Sequence, residues 1–442
     1  MRAARSSRYG TAVYPAYYPS LSLLEPGFPY GEDLLQFIWE ARLFDHRSLR
    51  TVDGHDVDIL SPGRIQKNSG PDLDGAVVRI REQLWAGTVE VHLRSSEWNT
   101  HGHQFDPAYD NVVLHVVHEH DAEVRTASGM RPPTLELKSR IKEDGMANYH
   151  RMMTSGSFVP CADQLKNADP LQVSLWLENL LRQRFDRKVE RAQELHAWYE
   201  GEEAQLLYHL LLEGFGMRTN AGACGMLARS LPLRLLLKYR DDHFRLDALL
   251  LGTAGLLPQD DQHRMMRTEF ALLSLMHSIP AIPAVAWKMG RIRPVNHPRS
   301  RLMQFRQLFV HLQGEFDRLL MFTDLDQVRK TFTAPALPLG RSAIDHLIIN
   351  VVVPMLFFKG RTYGRPQLEQ NAIELLEQLA PEKNDVLEGW ARCGMKARSA
   401  AHGQALLELK ELYCSRRLCL SCGIGKSLLK GSADRYRYDR IS

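Results

Sequence analysis

Hydrophobic positions change their period along the chain. Over residues 31–44, Leu34, Leu35, Ile38 and Trp39 recur at helical spacing and predict one short amphipathic helix. From about 55 to 140 the apolar residues fall into short β-rich runs at 57–59, 76–80, 85–93, 112–117 and 134–137. Turn signals at Ser61-Pro62-Gly63 and Asn68-Ser69-Gly70-Pro71-Asp72 separate these runs. After Cys161 the pattern becomes helical. A long amphipathic stretch covers 171–199, with further apolar stripes at 205–215, 231–237, 270–277, 301–313, 342–358 and 367–379. Proline-rich loops are expected at 280–298 and 334–338. The expected class is α+β: an irregular arm over 1–30, a mixed-sheet α+β domain over 31–150, and a larger all-α domain over 160–442.

Composition narrows the function classes only a little. The 442 residues carry 56 Lys+Arg against 52 Asp+Glu, a net charge of +4 that neither demands nor forbids nucleic acid. Hydrophobic content of 44% excludes wholesale disorder. No uninterrupted apolar run approaches the roughly 18 residues of a membrane span, so no membrane contact is expected. Six cysteines are too few for an extracellular disulfide framework. The basic N-terminus lacks the apolar core of an export signal, which makes a cytoplasmic location the expectation.

The densest chemistry lies between Gly70 and His115. Asp72 closes a tight turn, and Glu90 follows in the run Thr88-Val89-Glu90-Val91-His92-Leu93-Arg94. Strand alternation puts Glu90, His92 and Arg94 on one face and Val89, Val91 and Leu93 on the other. Carboxylates from Asp72 and Glu90 suit Mg²⁺ or Mn²⁺. His92 is placed to orient or activate water, and Arg94 to offset phosphate charge. Downstream, His101, His103, Asp106 and His115 form a second group of potential metal ligands. Ser95, Ser96 and Trp98 sit beside them as candidate substrate contacts, as do Arg291 and Arg293 in the basic loop further on.

This arrangement resembles the PD-(D/E)XK phosphodiesterase fold, in which an acidic helix precedes a sheet, an Asp opens one strand and Glu-x-Lys lies on the next. Gly70-Pro71-Asp72 and Glu90-Val91-His92 match that order, with Glu32 or Glu40 as the helix acid. The sequence departs from the pattern at His92, which stands where Lys is expected. Over its full length the chain also resembles an uncharacterised bacterial family, domain of unknown function 2851. That likeness rests on 32–39, 68–72, 85–98, 109–115 and the terminal cysteines.

Cys414-x₄-Cys419-x₂-Cys422 has the spacing of metal-binding thiolates but supplies three ligands where zinc or a cubane iron–sulfur cluster wants four. Cys161 is the first candidate for the fourth, ahead of Cys393 and His402, and would join two distant parts of the chain. Gly423-Ile424-Gly425-Lys426-Ser427 is not a phosphate-binding loop, because Leu420 occupies the position of the leading glycine. The functional expectation is a Mg²⁺- or Mn²⁺-dependent phosphodiesterase, a nuclease acting on DNA or RNA. Two alternatives stand beside it: a non-catalytic nucleic-acid-binding or scaffold protein on an inactivated nuclease-like domain, and a His/Asp-metal hydrolase of a non-nucleic substrate.

Overall fold

The computed structural model of the chain describes residues 30–66, 70–141, 143–290, 294–333 and 339–438. The chain divides into two compact units, one running to Met146 and the other beginning at Ala147. The first is built on a mixed six-stranded sheet and the second is helical, so the chain is α+β with a larger all-α part.

In the first unit, helix α1 (Glu32–Glu40) starts with Glu32 and Asp33, whose charges complement the helix N-terminus, and buries Leu34, Leu35, Phe37, Ile38 and Trp39. Each of these side chains contributes about 2 kcal/mol by leaving water. The helix is shorter than the apolar stripe suggests because Arg42 takes a left-handed backbone, φ 54°, and ends it.

The strands run in sequence order: β1 (Leu49–Arg50), β2 (Asp56–Ile65), β3 (Leu73–Ile80), β4 (Gln83–Arg94), β5 (Val112–Glu119) and β6 (Thr134–Glu136). The first four pair antiparallel, and β4–β5 and β5–β6 pair parallel. β5 is buried along nearly its whole length, as expected of a strand between parallel neighbours.

Ser61-Pro62-Gly63 reads as a turn in the sequence, yet β2 passes through it. The pairing with β3 shifts between Ile59 and Ser61, and Gly63 takes φ +85°, which a residue with a Cβ adopts only under strain. Because β1 pairs only Val57 and Asp56, the outer edge of β2 is open at Pro62, where a missing N–H costs little. The carbonyl of Pro62 accepts a 2.9 Å hydrogen bond from Trp39 Nε1.

The second unit is organised around the helix Pro170–Trp198, whose first turn is capped by Asp169 Oδ1 accepting from Leu171 N at 3.0 Å. Its buried residues Phe185, Val189 and Ala192 join a large leucine- and phenylalanine-rich core. The helix through Arg341–Thr362 is long and apolar enough to cross a membrane, and 72% of that apolar window is buried inside the protein, as in a core helix. The loops expected at 334–338 and around Arg291 and Arg293 lie outside the described residues.

Candidate metal centre

Glu90 lies in the middle of β4 at a point where the strand is buried on both faces, and its carboxylate is clamped from both ends. Glu90 Oε2 accepts from the backbone N–H of Asp72 at 3.0 Å, while Asp72 Oδ2 accepts from the backbone N–H of Val91 at 3.0 Å. This reciprocal pair joins the start of β3 to the centre of β4 and leaves Glu90 Oε1 free of backbone partners. Three imidazoles converge there. His103 Nε2 is 3.1 Å from Glu90 Oε1, and His92 Nε2 is 3.6 Å from it. His92, His101 and His103 bring one ring nitrogen each within 4.8 Å of one another.

The histidines arrive by two routes. His92 follows Glu90 on the same strand face. His101 and His103 come from the crossover between β4 and β5, where α2 (Glu97–Thr100) is followed by Gly102 at φ +80° and a single turn at His103–Phe105. That abrupt reversal turns His103 back over the sheet, where Tyr109 stacks on it with ring centroids 3.8 Å apart. Trp98 is fully buried beneath them and donates Nε1–H to the Arg125 carbonyl at 2.9 Å. His92 is held from behind: its Nδ1 is 2.9 Å from Nε2 of the fully buried His115.

Electrostatics marks the same place. Burial, followed by the neighbouring His115, His103 and His101, pushes the His92 pKa far down; burial and His120 bring His115 down to about 3. Both imidazoles are therefore neutral near pH 7, the state in which a ring nitrogen can bind a cation. The carboxyls behave oppositely. Burial and the charge of Glu90 push Asp72 up to about 7, against the opposing N–H of Val91, Gln36 and His103. Glu32, from the first turn of α1, is raised to about 7 by burial and by Glu97, Asp72 and Glu90. Acids crowded this closely repel one another until a cation or a proton joins them.

Two buried polar atoms at the centre lack a hydrogen-bond partner, Glu32 Oε1 and His115 Nδ1, and His103 Nε2 has only its 3.1 Å approach to Glu90 Oε1. A divalent cation fits this donor set of neutral imidazoles and carboxylates. Imidazole nitrogen favours zinc, iron or nickel over magnesium. Glu90, His92 and His103, with Asp72 and His101 at the margin, are the residues that would hold it.

Other expected site residues lie elsewhere or serve the fold. Arg94 ends β4, is exposed and stands beside Glu119, because strand alternation carries it past the edge of the cluster. Asp106 is exposed, and its Oδ1 caps the next turn by accepting from Ala108 N at 2.9 Å. Ser95 is fully buried: its Oγ donates to Asp121 Oδ1 at 3.0 Å and accepts the N–H groups of Asp121 and Ala122 at 2.9 Å. Ser96 bonds to the same carboxylate, so neither serine is free for a substrate. Trp98 is floor rather than contact surface, and His115 backs His92 rather than joining the three converging nitrogens. Arg291 and Arg293 lie outside the described residues. Of the two helix acids, Glu32 faces the cluster, whereas Glu40 Oε1 accepts from Ile65 N at 3.3 Å. Gln36, one turn after Glu32 and bonded to Asp72, escaped sequence reasoning; the i, i+4 spacing from Glu32 was its signal.

Residues 32–337 and 333–385 match the family model described as "Protein of unknown function (DUF2851)". No curated protein and no solved structure matches the chain.

Proposed function

The chain belongs to the DUF2851 family, and we propose that its first unit is a metal-dependent hydrolase of phosphodiesters, a nuclease acting on DNA or RNA. The observation that supports this most is the approach of His103 and His92 to one free oxygen of Glu90, beside a second carboxylate at Asp72 and a third at Glu32. The order of an acidic helix, an Asp opening one strand and Glu-x-His on the next is the order of the PD-(D/E)XK phosphodiesterases, with imidazole in place of the usual ammonium.

When bound, a divalent ion would supply Lewis acidity toward a phosphoryl oxygen and acidify a water molecule. The chain's own residues do the rest. Asp72 and Val91 hold the Glu90 carboxylate so that one oxygen faces the imidazoles. His115 holds the His92 ring. His101, the exposed member of the three, sits on the solvent side where substrate would enter and is placed to take up or return a proton. The imidazole-rich donor set makes Zn²⁺ a better expectation than Mg²⁺, while the carboxylates also suit Mn²⁺.

The test is metal analysis of the full chain, followed by cleavage assays on single- and double-stranded DNA and RNA with Mn²⁺, Zn²⁺ or Mg²⁺ added back. Glu90→Ala should abolish cleavage while leaving the far-UV circular dichroism unchanged. Full cleavage by Glu90→Ala would overturn the assignment. Metal binding without cleavage of any nucleic acid would favour the non-nucleic hydrolase, a reading that the majority of imidazole donors keeps open. Nucleic-acid binding without metal binding would favour the scaffold.

A further inference from the structure

We propose that the helical unit holds a [4Fe–4S] cluster on Cys161, Cys414, Cys419 and Cys422, separate from the histidine centre. All four cysteines are free and buried. They reach one place from three directions. Cys161 ends the segment before the turn Ala162–Asn167; Cys414 closes the widened turn Leu409–Cys414; Cys419 opens the turn Cys419–Ser421; and Cys422 immediately precedes the helix Gly423–Tyr438. Within the terminal segment the Cys422 N–H donates to the Cys419 carbonyl and the Arg417 N–H to the Cys414 carbonyl, both at 3.2 Å.

Two basic side chains fasten the Cys161 segment against the terminal one. Lys410 Nζ donates to the Phe158 carbonyl at 2.6 Å and lies 4.5 Å from the centre of the Phe158 ring. Arg417 donates to the carbonyls of Met152 at 3.2 Å and Ser155 at 2.8 Å. These contacts bring a cysteine about 250 residues away in sequence to the other three. The four cysteines belong to the same unit, so they close the helical unit on itself rather than joining the two halves of the chain.

Spacing selects the occupant. A single zinc ion at its usual bond length would draw four sulfurs to about 3.8 Å from one another. Among the described residues the three histidines bring their ligand atoms within 4.8 Å of one another, and no three of the four sulfurs do. Thiolates that converge on one enclosed place yet stay farther apart than a single ion allows match the corners of a cubane, where each sulfur binds its own iron.

The surroundings suit such a group. The Cys422 sulfur is faced by the backbone N–H groups of Gly425 and Ile424 and by Trp176 Nε1, all opposing the upward push of burial on its thiol. The Trp176 Nε1–H is buried and has no partner of ordinary hydrogen-bond geometry, so it is free to point at a cluster sulfur. Gly425 is required for the loop to close: a Cβ there would lie 2.3 Å from the Cys419 carbonyl oxygen.

The experiment is to purify the full-length chain without oxygen and measure iron, acid-labile sulfide and zinc. About four irons and about four sulfides per chain are expected, with a visible charge-transfer absorption that bleaches on reduction. Cys161→Ser and Cys419→Ser should lose the iron, whereas Cys224→Ser, in the helical core, should retain it. Because losing a cluster ligand can unfold the unit, the metal count on the unaltered chain is decisive by itself. One zinc and no iron per chain would overturn the proposal, as would a chain that stays metal-free after anaerobic reconstitution with iron and sulfide. None of these readouts depends on nuclease activity, so failure of either proposal is visible separately.

Discussion

His92 Nδ1 lies 2.9 Å from His115 Nε2, one imidazole directly behind another in the buried centre of the sheet. The contact follows from strand register. Glu90 is opposite His115 across the parallel β4–β5 pair, and His92 is two residues further along the same face. If Nδ1–H of His92 donates to His115, the Nε2 lone pair of His92 faces His101 at 3.2 Å and the Glu90 carboxylate. A buried neighbour of this kind fixes the orientation of a ligand ring.

Replacing that neighbour should therefore weaken metal binding without removing a ligand. His115→Asn is expected to lower metal affinity about 10- to 100-fold. Titration against a competing chelator reads the change, and circular dichroism checks that the sheet is intact. Unchanged affinity would show that His92 does not need His115.

Ser95 makes a contrasting case. Ser95→Ala leaves the N–H groups of the exposed Asp121 and the half-buried Ala122 without their acceptor, at a cost of roughly 1–2 kcal/mol. A lower midpoint in urea with unchanged substrate affinity is the expected pair of results. A substrate-affinity defect at full stability would restore Ser95 to the binding surface.

In the helical unit the fully buried Glu408 accepts from Arg184 Nη1 and from Arg187 Nε, both at 3.0 Å. Glu408→Ala strands two guanidinium groups, and such a truncation typically costs about 3–5 kcal/mol when the partners are buried. Arg187 is partly in solvent, so the loss should fall at or below the lower end of that range. Calorimetry of the full chain measures it.

Lys188 gives a pH signature. Burial brings its pKa down to about 7, with Arg184 and Arg187 adding to the shift and Glu382 and Glu408 opposing it. Its folded pKa is depressed below its ordinary value of 10.5, so between about pH 7 and 10.5 the unfolded chain binds the proton that the folded chain lacks. Stability from this group therefore rises with pH across that window and is lost as pH falls through it. Lys188→Met should flatten that part of the stability profile, measured by urea unfolding at pH 7, 8 and 9. An unchanged slope would place the Lys188 ammonium in solvent.

Much of this architecture was legible before any coordinates. The change from period two to helical period near Cys161 separated the sheet from the helices, because alternation and the 3.6-residue stripe are local patterns. The same alternation put Glu90 and His92 on one strand face. It failed at Arg94, since alternation gives the side of a strand but not where the cluster on that side ends. It failed again at Pro62, where a sequence turn signal is absorbed by a bulge that only an open sheet edge permits.

Local order along the chain thus determined the fold class, the strand carrying Glu90, and the cysteine spacing at 414–422, each a matter of residues within a few positions of one another. Tertiary structure decided the rest. It chose Glu32 over Glu40, placed His115 behind His92, turned Ser95 and Trp98 into scaffold, and brought Cys161 to the terminal cysteines. Each of those outcomes depends on which distant backbones pack together, and on which polar atoms are left facing one another when water is excluded.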